Sequence, residues 1–212
     1  MGLFDLFRRP PPVDDLASAI EFLDSHTAFA VQKCTYEYAR ARSGTNWQKL
    51  FNEAAFKQAV EASCWLNFPI ALADLAEMML SVLRAPHGPA DPDLVAGIAA
   101  AAAAVARRHP VPDGFTPTYW SDAVASVAAR LAKTGYVPAR AVKDMPKDTA
   151  QAFFDHLPFH PEVRANDFLL IRNTRAVNLC RACETLERRG NLPALRAVLA
   201  AEGARAAAGS GG

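Results

Sequence analysis

The stretch from Asn46 to Arg84 has the sequence pattern of a long and largely buried helix. Large apolar side chains recur along it at spacings of three and four residues, which places them on helical faces. They are Trp47, Phe51, Phe56, Val60, Trp65, Leu66, Phe68, Ile70, Leu72, Leu75, Met78, Met79, Leu80, Val82 and Leu83. Pro69 lacks a backbone N–H, so the helix is predicted to kink or split there. Because a segment this apolar must be covered by other helices, the sequence predicts an α-helical bundle.

The whole chain is predicted to form an all-α, single-domain bundle of about seven helices. Runs of alternating β-branched residues long enough to pair as strands are missing from the sequence. Residues 1–13 are interpreted as an amphipathic segment and a proline linker, residues 14–202 as the bundle, and residues 203–212 as a disordered tail rich in Ala and Gly. A turn at Gly190 and Asn191 predicts that the bundle ends in a helical hairpin.

The charge balance argues against a nucleic-acid partner. The chain has 23 Lys and Arg residues against 22 Asp and Glu residues, so no overall positive field would draw it to phosphate backbones. No run reaches the roughly 18 to 20 continuous apolar residues of a membrane-spanning helix. The preference for Ala and Arg over Ser and Lys favours a bacterial origin, and we expect a cytoplasmic protein.

Residues 1–9 are amphipathic and carry the first candidate contact residues. Leu3, Phe4, Leu6 and Phe7 precede Arg8 and Arg9. The segment could pack into a groove of its own bundle or of a second copy, could stay disordered, or could make a weak peripheral contact with an anionic membrane. Phe4 and Phe7 are therefore candidate partner-binding residues.

Motifs for catalysis, cofactors or metals are weak. The sequence contains neither a Gly-x-Ser-x-Gly nucleophile motif nor a phosphate-binding glycine loop. Cys180 and Cys183 have the spacing of a metal or redox pair, but they lie within a predicted helix, where buried reduced cysteines are the simpler interpretation. His156 and His160 are weak metal candidates, and Pro158 between them disfavours a shared helical face. We expect no cofactor and no metal.

The segment 162–189 has apolar residues around much of its helical circumference. If this helix is central, its polar residues would be partly buried and would need either carboxylates of neighbouring helices or an anionic ligand as partners. The candidate ligand- or partner-binding residues in it are Arg164, Arg172, Asn173 and Arg175.

Two functional hypotheses follow from these patterns. The first is a non-enzymatic helical protein-interaction module, an adaptor or scaffold that associates with itself or with a protein partner through apolar surface. The alternative is a small-molecule-binding protein or enzyme with an interhelical pocket. That pocket would be lined by the polar residues of segment 162–189 and by the aromatic residues Trp65, Phe68, Trp120 and Phe168.

Overall fold

The computed structural model describes residues 11–85 and 89–209. Its helices surround the long apolar segment. Within these ranges there are ten α-helices and no β-strand. They are α1 (Leu16–Val31), α2 (Glu37–Arg42), α3 (Trp47–Asn52), α4 (Ala54–Leu83), α5 (Pro92–Ala106), α6 (Tyr119–Gly135), α7 (Ala150–Asp155), α8 (Pro161–Arg164), α9 (Phe168–Arg189) and α10 (Leu192–Gly209). The predicted all-α single domain is confirmed. The described helices outnumber the predicted seven because short breaks divide three of the predicted segments.

The first predicted helix forms one rod with a wide turn inside it. Asp15 caps α1 by accepting a hydrogen bond from the backbone N–H of Ser18 at 2.7 Å, and the Ser18 side chain contacts the Asp15 backbone in return. Residues Gln32–Tyr36 are π-helical and connect α1 directly to α2. The apolar face of this rod packs on α4 and α5.

The long apolar segment is divided into two helices, but not at Pro69. α4 continues through Pro69, and the break occurs instead at Glu53, whose extended ψ of 120° separates α3 from α4. A helix can keep an internal proline when another group satisfies the carbonyl four residues earlier. Here that carbonyl belongs to Trp65, and the Tyr119 hydroxyl donates to it.

α4 is the central helix of the bundle. Every residue from Ala71 to Leu80 is buried, and α4 packs against α1, α5, α6 and α9. By length and composition α4 could also cross a membrane, but 72% of its most apolar window is buried inside the protein. Such burial is typical of the core helix of a bundle.

The Ala-rich α5 and the last helix α10 approach each other more closely than side chains would permit. A Cβ added to Gly97 would lie 1.8 Å from the carbonyl oxygen of Leu199, and one added to Gly203 would lie 1.9 Å from that of Asp93. The prediction of a disordered tail from residue 203 is corrected by this contact. α10 extends to Gly209 because Gly203 packs it onto α5, and residues 210–212 lie outside the described ranges.

The turn at Gly190 and Asn191 joins α9 to α10 as predicted. The two helices then pack on different neighbours: α10 packs chiefly on α5, whereas α9 packs on α4 and on the 3-10 helix Val142–Lys147. Val13, which precedes α1, pairs with the residues on both sides of this turn. Its N–H donates to the carbonyl of Arg189 and its carbonyl accepts from Asn191, both at 3.1 Å. The chain leading into α1 is thereby fixed to the α9–α10 turn.

Candidate functional site

Arg175 is one of the predicted site residues, and it lies in the core. Its side chain is only 4% exposed, and its Nη2 lies 2.6 Å from Oδ2 of Asp74 on α4. Nη2 also donates to the Thr149 hydroxyl at 2.7 Å, and Nη1 donates to the Pro146 carbonyl at 3.2 Å. The guanidinium also lies over the Phe153 ring, 4.5 Å from its centroid. Of the partners that the sequence left open for this arginine, the structure provides a carboxylate.

Asp74 is one member of a chain of alternating charges, which we call the ion chain (Arg175, Asp74, Arg130, Glu77, Arg140 and Asp148). Arg130 of α6 bridges two carboxylates, contacting Asp74 and Glu77 at 2.7 Å each. Arg140 then holds Glu77 through Nε at 2.7 Å and reaches Asp148 at 2.6 Å. These pairs raise the pKa of Arg140, Glu77 being the main cause. Since a buried charge needs compensation, each inner member stabilises its neighbours.

Sequence reasoning missed five members of the ion chain: Asp74, Arg130, Glu77, Arg140 and Asp148. A signal for two of them was present. Asp74 and Glu77 are the only charged residues between Phe68 and Leu83, and their spacing of three residues places them one turn apart on α4. Carboxylates inside such an apolar helix indicate buried cationic partners, but the sequence does not identify the arginines that supply them.

The first cavity beside the ion chain is mostly apolar. It has a volume of about 400 Å³ and lies between α1, α4 and α9, so we call it the α1–α4–α9 cavity. Its described lining residues are Ser25, His26, Phe29, Ala30, Ala71, Asp74, Leu75, Phe153, Arg175, Asn178, Leu179, Arg181, Ala182 and Thr185. Its deepest cation, Arg175, already binds protein oxygens, so a ligand here would mainly meet apolar surface.

The second cavity is rich in cations and has a volume of about 470 Å³. It lies between α4, α6 and the segment 137–149, and we call it the cationic cavity. Its described charged lining residues are Glu77, Arg84, Arg130, Lys133, Arg140 and Asp148. The outer half of the ion chain therefore forms one of its walls.

No protein-family model, curated protein or solved structure matches this chain. The functional assignment therefore depends on where its own side chains lie.

Arg164 is buried and bound within the protein. It donates through Nε to the carbonyl of Phe159 at 3.1 Å, and also to the carbonyls of Phe154 and Asp155 at the end of α7. Its guanidinium lies over the Phe154 ring at 4.7 Å. A cation among the terminal carbonyls of a helix satisfies acceptors that the helix itself leaves open. This position fits a structural role better than contact with a ligand or partner.

Arg172 is partly buried on α9, and its Nη2 lies 3.4 Å from Oδ1 of exposed Asn173. Neither is among the described residues that line the three described cavities. Asn173 is exposed and shares its helical face with exposed apolar residues, namely Leu169 (57% exposed), Leu170 (58%) and Val177 (49%). We call Leu169, Leu170, Asn173 and Val177 the outer α9 face.

The aromatic residues proposed to line a pocket separate into two groups. Trp65, Phe68 and Trp120 pack together with His109, with ring centroids 5.3 to 6.1 Å apart. Phe168 packs elsewhere, edge-on to Phe154. An apolar groove of about 330 Å³ lies beside the first group and is lined in part by Trp65, Phe68 and His109. These residues thus form core edges rather than the walls of one polar pocket.

The histidine and cysteine candidates are dispersed. His156 is half-buried, with Nδ1 3.2 Å from Oδ1 of Asn67, whereas exposed His160 lies at the start of α8. All four cysteines are free thiols, and burial raises the pKa of Cys183 to about 11. In the part of the chain that the structure describes, no group of three or more His, Cys, Asp or Glu residues could hold a metal ion. Phe4 and Phe7 lie outside the described residues.

Proposed function

We propose that this chain is a non-enzymatic interaction module that self-associates through the outer α9 face. The supporting observation is that three apolar side chains of this face are each about half exposed or more. Leu170 and Val177 are seven residues apart, two turns along one side of the helix, and Leu169 widens the stripe. Apolar residues clustered in this way are typical of a contact surface, whereas isolated ones are ordinary.

Asn173 supports a second copy of the chain as the partner. In a two-fold symmetric dimer each residue near the axis meets its own copy, so the surface must be self-complementary. An amide carries both a donor and an acceptor, and Asn173 in the middle of the stripe can therefore pair with its counterpart. A single amide within an apolar helical seam also fixes the register of two helices.

The polar groups of the interior support a non-enzymatic role. The inner members of the ion chain are held by one another, and Arg164 is held by backbone carbonyls. Groups fixed in this way stabilise helix packing and are poorly placed to react with a substrate. As a second function we propose that a small molecule binds in the α1–α4–α9 cavity, where it would meet mainly apolar walls because Arg175 is already bound by Asp74. Residues 1–9 are proposed as an additional contact with a partner or a membrane.

Sedimentation velocity over a range of protein concentrations tests self-association. We expect a reversible dimer, and we expect Leu170→Glu to raise its dissociation constant at least about tenfold by placing a charge in the seam. The matched control is Leu66→Glu, which changes another exposed leucine, 39% exposed, on α4. A monomer at all concentrations, or equal effects of the two substitutions, would refute the assignment.

A further inference from the structure

The cationic cavity carries more positive than negative charge. Arg84, Arg130, Lys133 and Arg140 are its described cations, against the carboxylates of Glu77 and Asp148. A concave site with low-dielectric walls concentrates such a field and attracts ions of the opposite sign. The cavity is separate from the outer α9 face.

The two carboxylates do not neutralise this field equally. Glu77 is 3% exposed and is fully engaged, with Oε1 accepting from Arg140 at 2.7 Å and Oε2 accepting from Arg130 at 2.7 Å and from Arg140 at 3.0 Å. Asp148 has a side chain that is 70% exposed, and water weakens its attraction to Arg140. The outer side of the Arg140 guanidinium can therefore exchange Asp148 for another anion.

The remaining walls of the cavity are mainly apolar. Leu80, Val137, Pro138, Ala139 and Met145 contribute to them. The volume of about 470 Å³ is within the range of pockets that enclose small organic molecules. A ligand that fits would combine a strongly charged anionic end with a short apolar body.

We propose that the cationic cavity binds a small organic dianion, either a phosphate monoester or a dicarboxylate with a short apolar body. Arg140 binds the anionic group through Nη1 in place of Asp148, because its Nε and Nη2 already donate to Glu77 and to the Met145 carbonyl. Lys133 is an exposed lining residue on α6 and adds a further positive charge to the cavity. Arg130 stays bound to the inner carboxylates and holds Glu77 in place.

Isothermal titration calorimetry with phenyl phosphate and with phthalate tests this proposal. Titrations are done at low ionic strength, where charges are least screened, and at about pH 8, where a phosphate monoester is doubly charged. We expect at least one probe to bind with a dissociation constant below about 1 mM, and neutral benzyl alcohol to bind at least about tenfold more weakly. Binding of one probe alone identifies which of the two anionic groups the cavity accepts.

A matched pair of charge reversals locates the bound anion. Lys133→Glu changes a lining residue, whereas Lys143→Glu changes the net charge by the same amount at an exposed lysine outside the cavity lining. We expect Lys133→Glu to weaken binding at least about tenfold and Lys143→Glu to weaken it less than about threefold. Circular dichroism checks that both variants fold. Binding of neither anion, equal binding of benzyl alcohol, or equal effects of the two reversals would each overturn the proposal.

Discussion

The phenolic hydroxyl of Tyr119 donates a hydrogen bond to the carbonyl oxygen of Trp65. That carbonyl lies four residues before Pro69, which has no N–H to offer it. Burial raises the pKa of Tyr119 above its ordinary value, which is itself well above neutral pH, and the protonated hydroxyl can donate. A side chain of α6 thus replaces the helical hydrogen bond that α4 loses at its proline.

Removing this hydroxyl should destabilise the fold. We expect Tyr119→Phe to lower the free energy of unfolding by about 1 to 2 kcal/mol, because the Trp65 carbonyl would be left without its partner. Urea unfolding followed by circular dichroism measures the change. In a Pro69→Ala background the backbone supplies an N–H, and the same substitution should then cost clearly less. An equal loss in both backgrounds would show that Tyr119 acts independently of the proline.

The close contact between α5 and α10 predicts a large effect of one methyl group. Gly203→Ala should lower the free energy of unfolding by about 2 kcal/mol or more, since the new Cβ would overlap the Asp93 carbonyl. Helix propensity alone predicts the opposite sign. The control is Gly209→Ala in the same helix, where nothing lies within 4 Å of the added atom, and its effect should stay within about 0.5 kcal/mol. Equal stabilities of the two variants would contradict the packing of α10 on α5.

Two arginines one turn apart on α9 should respond very differently to substitution. Arg175→Met removes a partner of buried Asp74, and we expect a loss of about 3 kcal/mol in the free energy of unfolding. Arg172→Met changes a partly exposed arginine of the same helix that contacts exposed Asn173, and its effect should stay within about 0.5 kcal/mol. Guanidinium chloride unfolding compares the two variants. A loss of similar size in both would place Arg172 in the core as well.

Two partly buried histidines predict that stability falls in mild acid. Burial lowers the pKa of His26 and of His156 below the ordinary value of 6.5. The unfolded chain therefore takes up these protons at a higher pH than the folded protein does. This contribution to stability is complete above about pH 6.5 and is lost as the pH falls toward the folded pKa values.

Urea unfolding at several pH values between about 7.5 and 5 checks this expectation. The double variant His26→Gln/His156→Gln should show a flatter profile over that range than the unchanged protein. Nuclear magnetic resonance titration of the His156 ring measures its folded pKa directly. A folded pKa at or above 6.5 would contradict the prediction.

The periodicity of the sequence was sufficient to predict the helical class and the central segment, but it could not tell which arginine of α9 is fully buried. Arg172 and Arg175 lie close to one predicted helical face, and apolar residues surround much of the helix, so both were candidates for burial. The choice depends on Asp74, which is 101 positions away along the chain from Arg175. Pairing over such distances leaves no periodic signal in a single sequence.

The end of α10 was predicted incorrectly for a related reason. The Ala and Gly content of residues 203–212 suggested disorder. Local composition cannot show that one of these glycines packs against another helix. Gly203 is ordered by Asp93 and Gly97, which precede it by more than a hundred residues. The helical conformation at the end of α10 is thus explained by long-range backbone contact rather than by helix propensity.

The position of Val13 bears on the order in which the chain can assemble. Its two backbone hydrogen bonds require Arg189 and Asn191, so the segment that leads into α1 cannot make them until almost all of the described chain has left the ribosome. The Ala-rich helix α5 likewise cannot make its contacts with α10 until the end of the described chain has been synthesised. Contacts between such distant positions slow folding. The face of α5 that α10 covers therefore stays exposed until residues 192–209 have been synthesised, a period in which a chaperone could bind it.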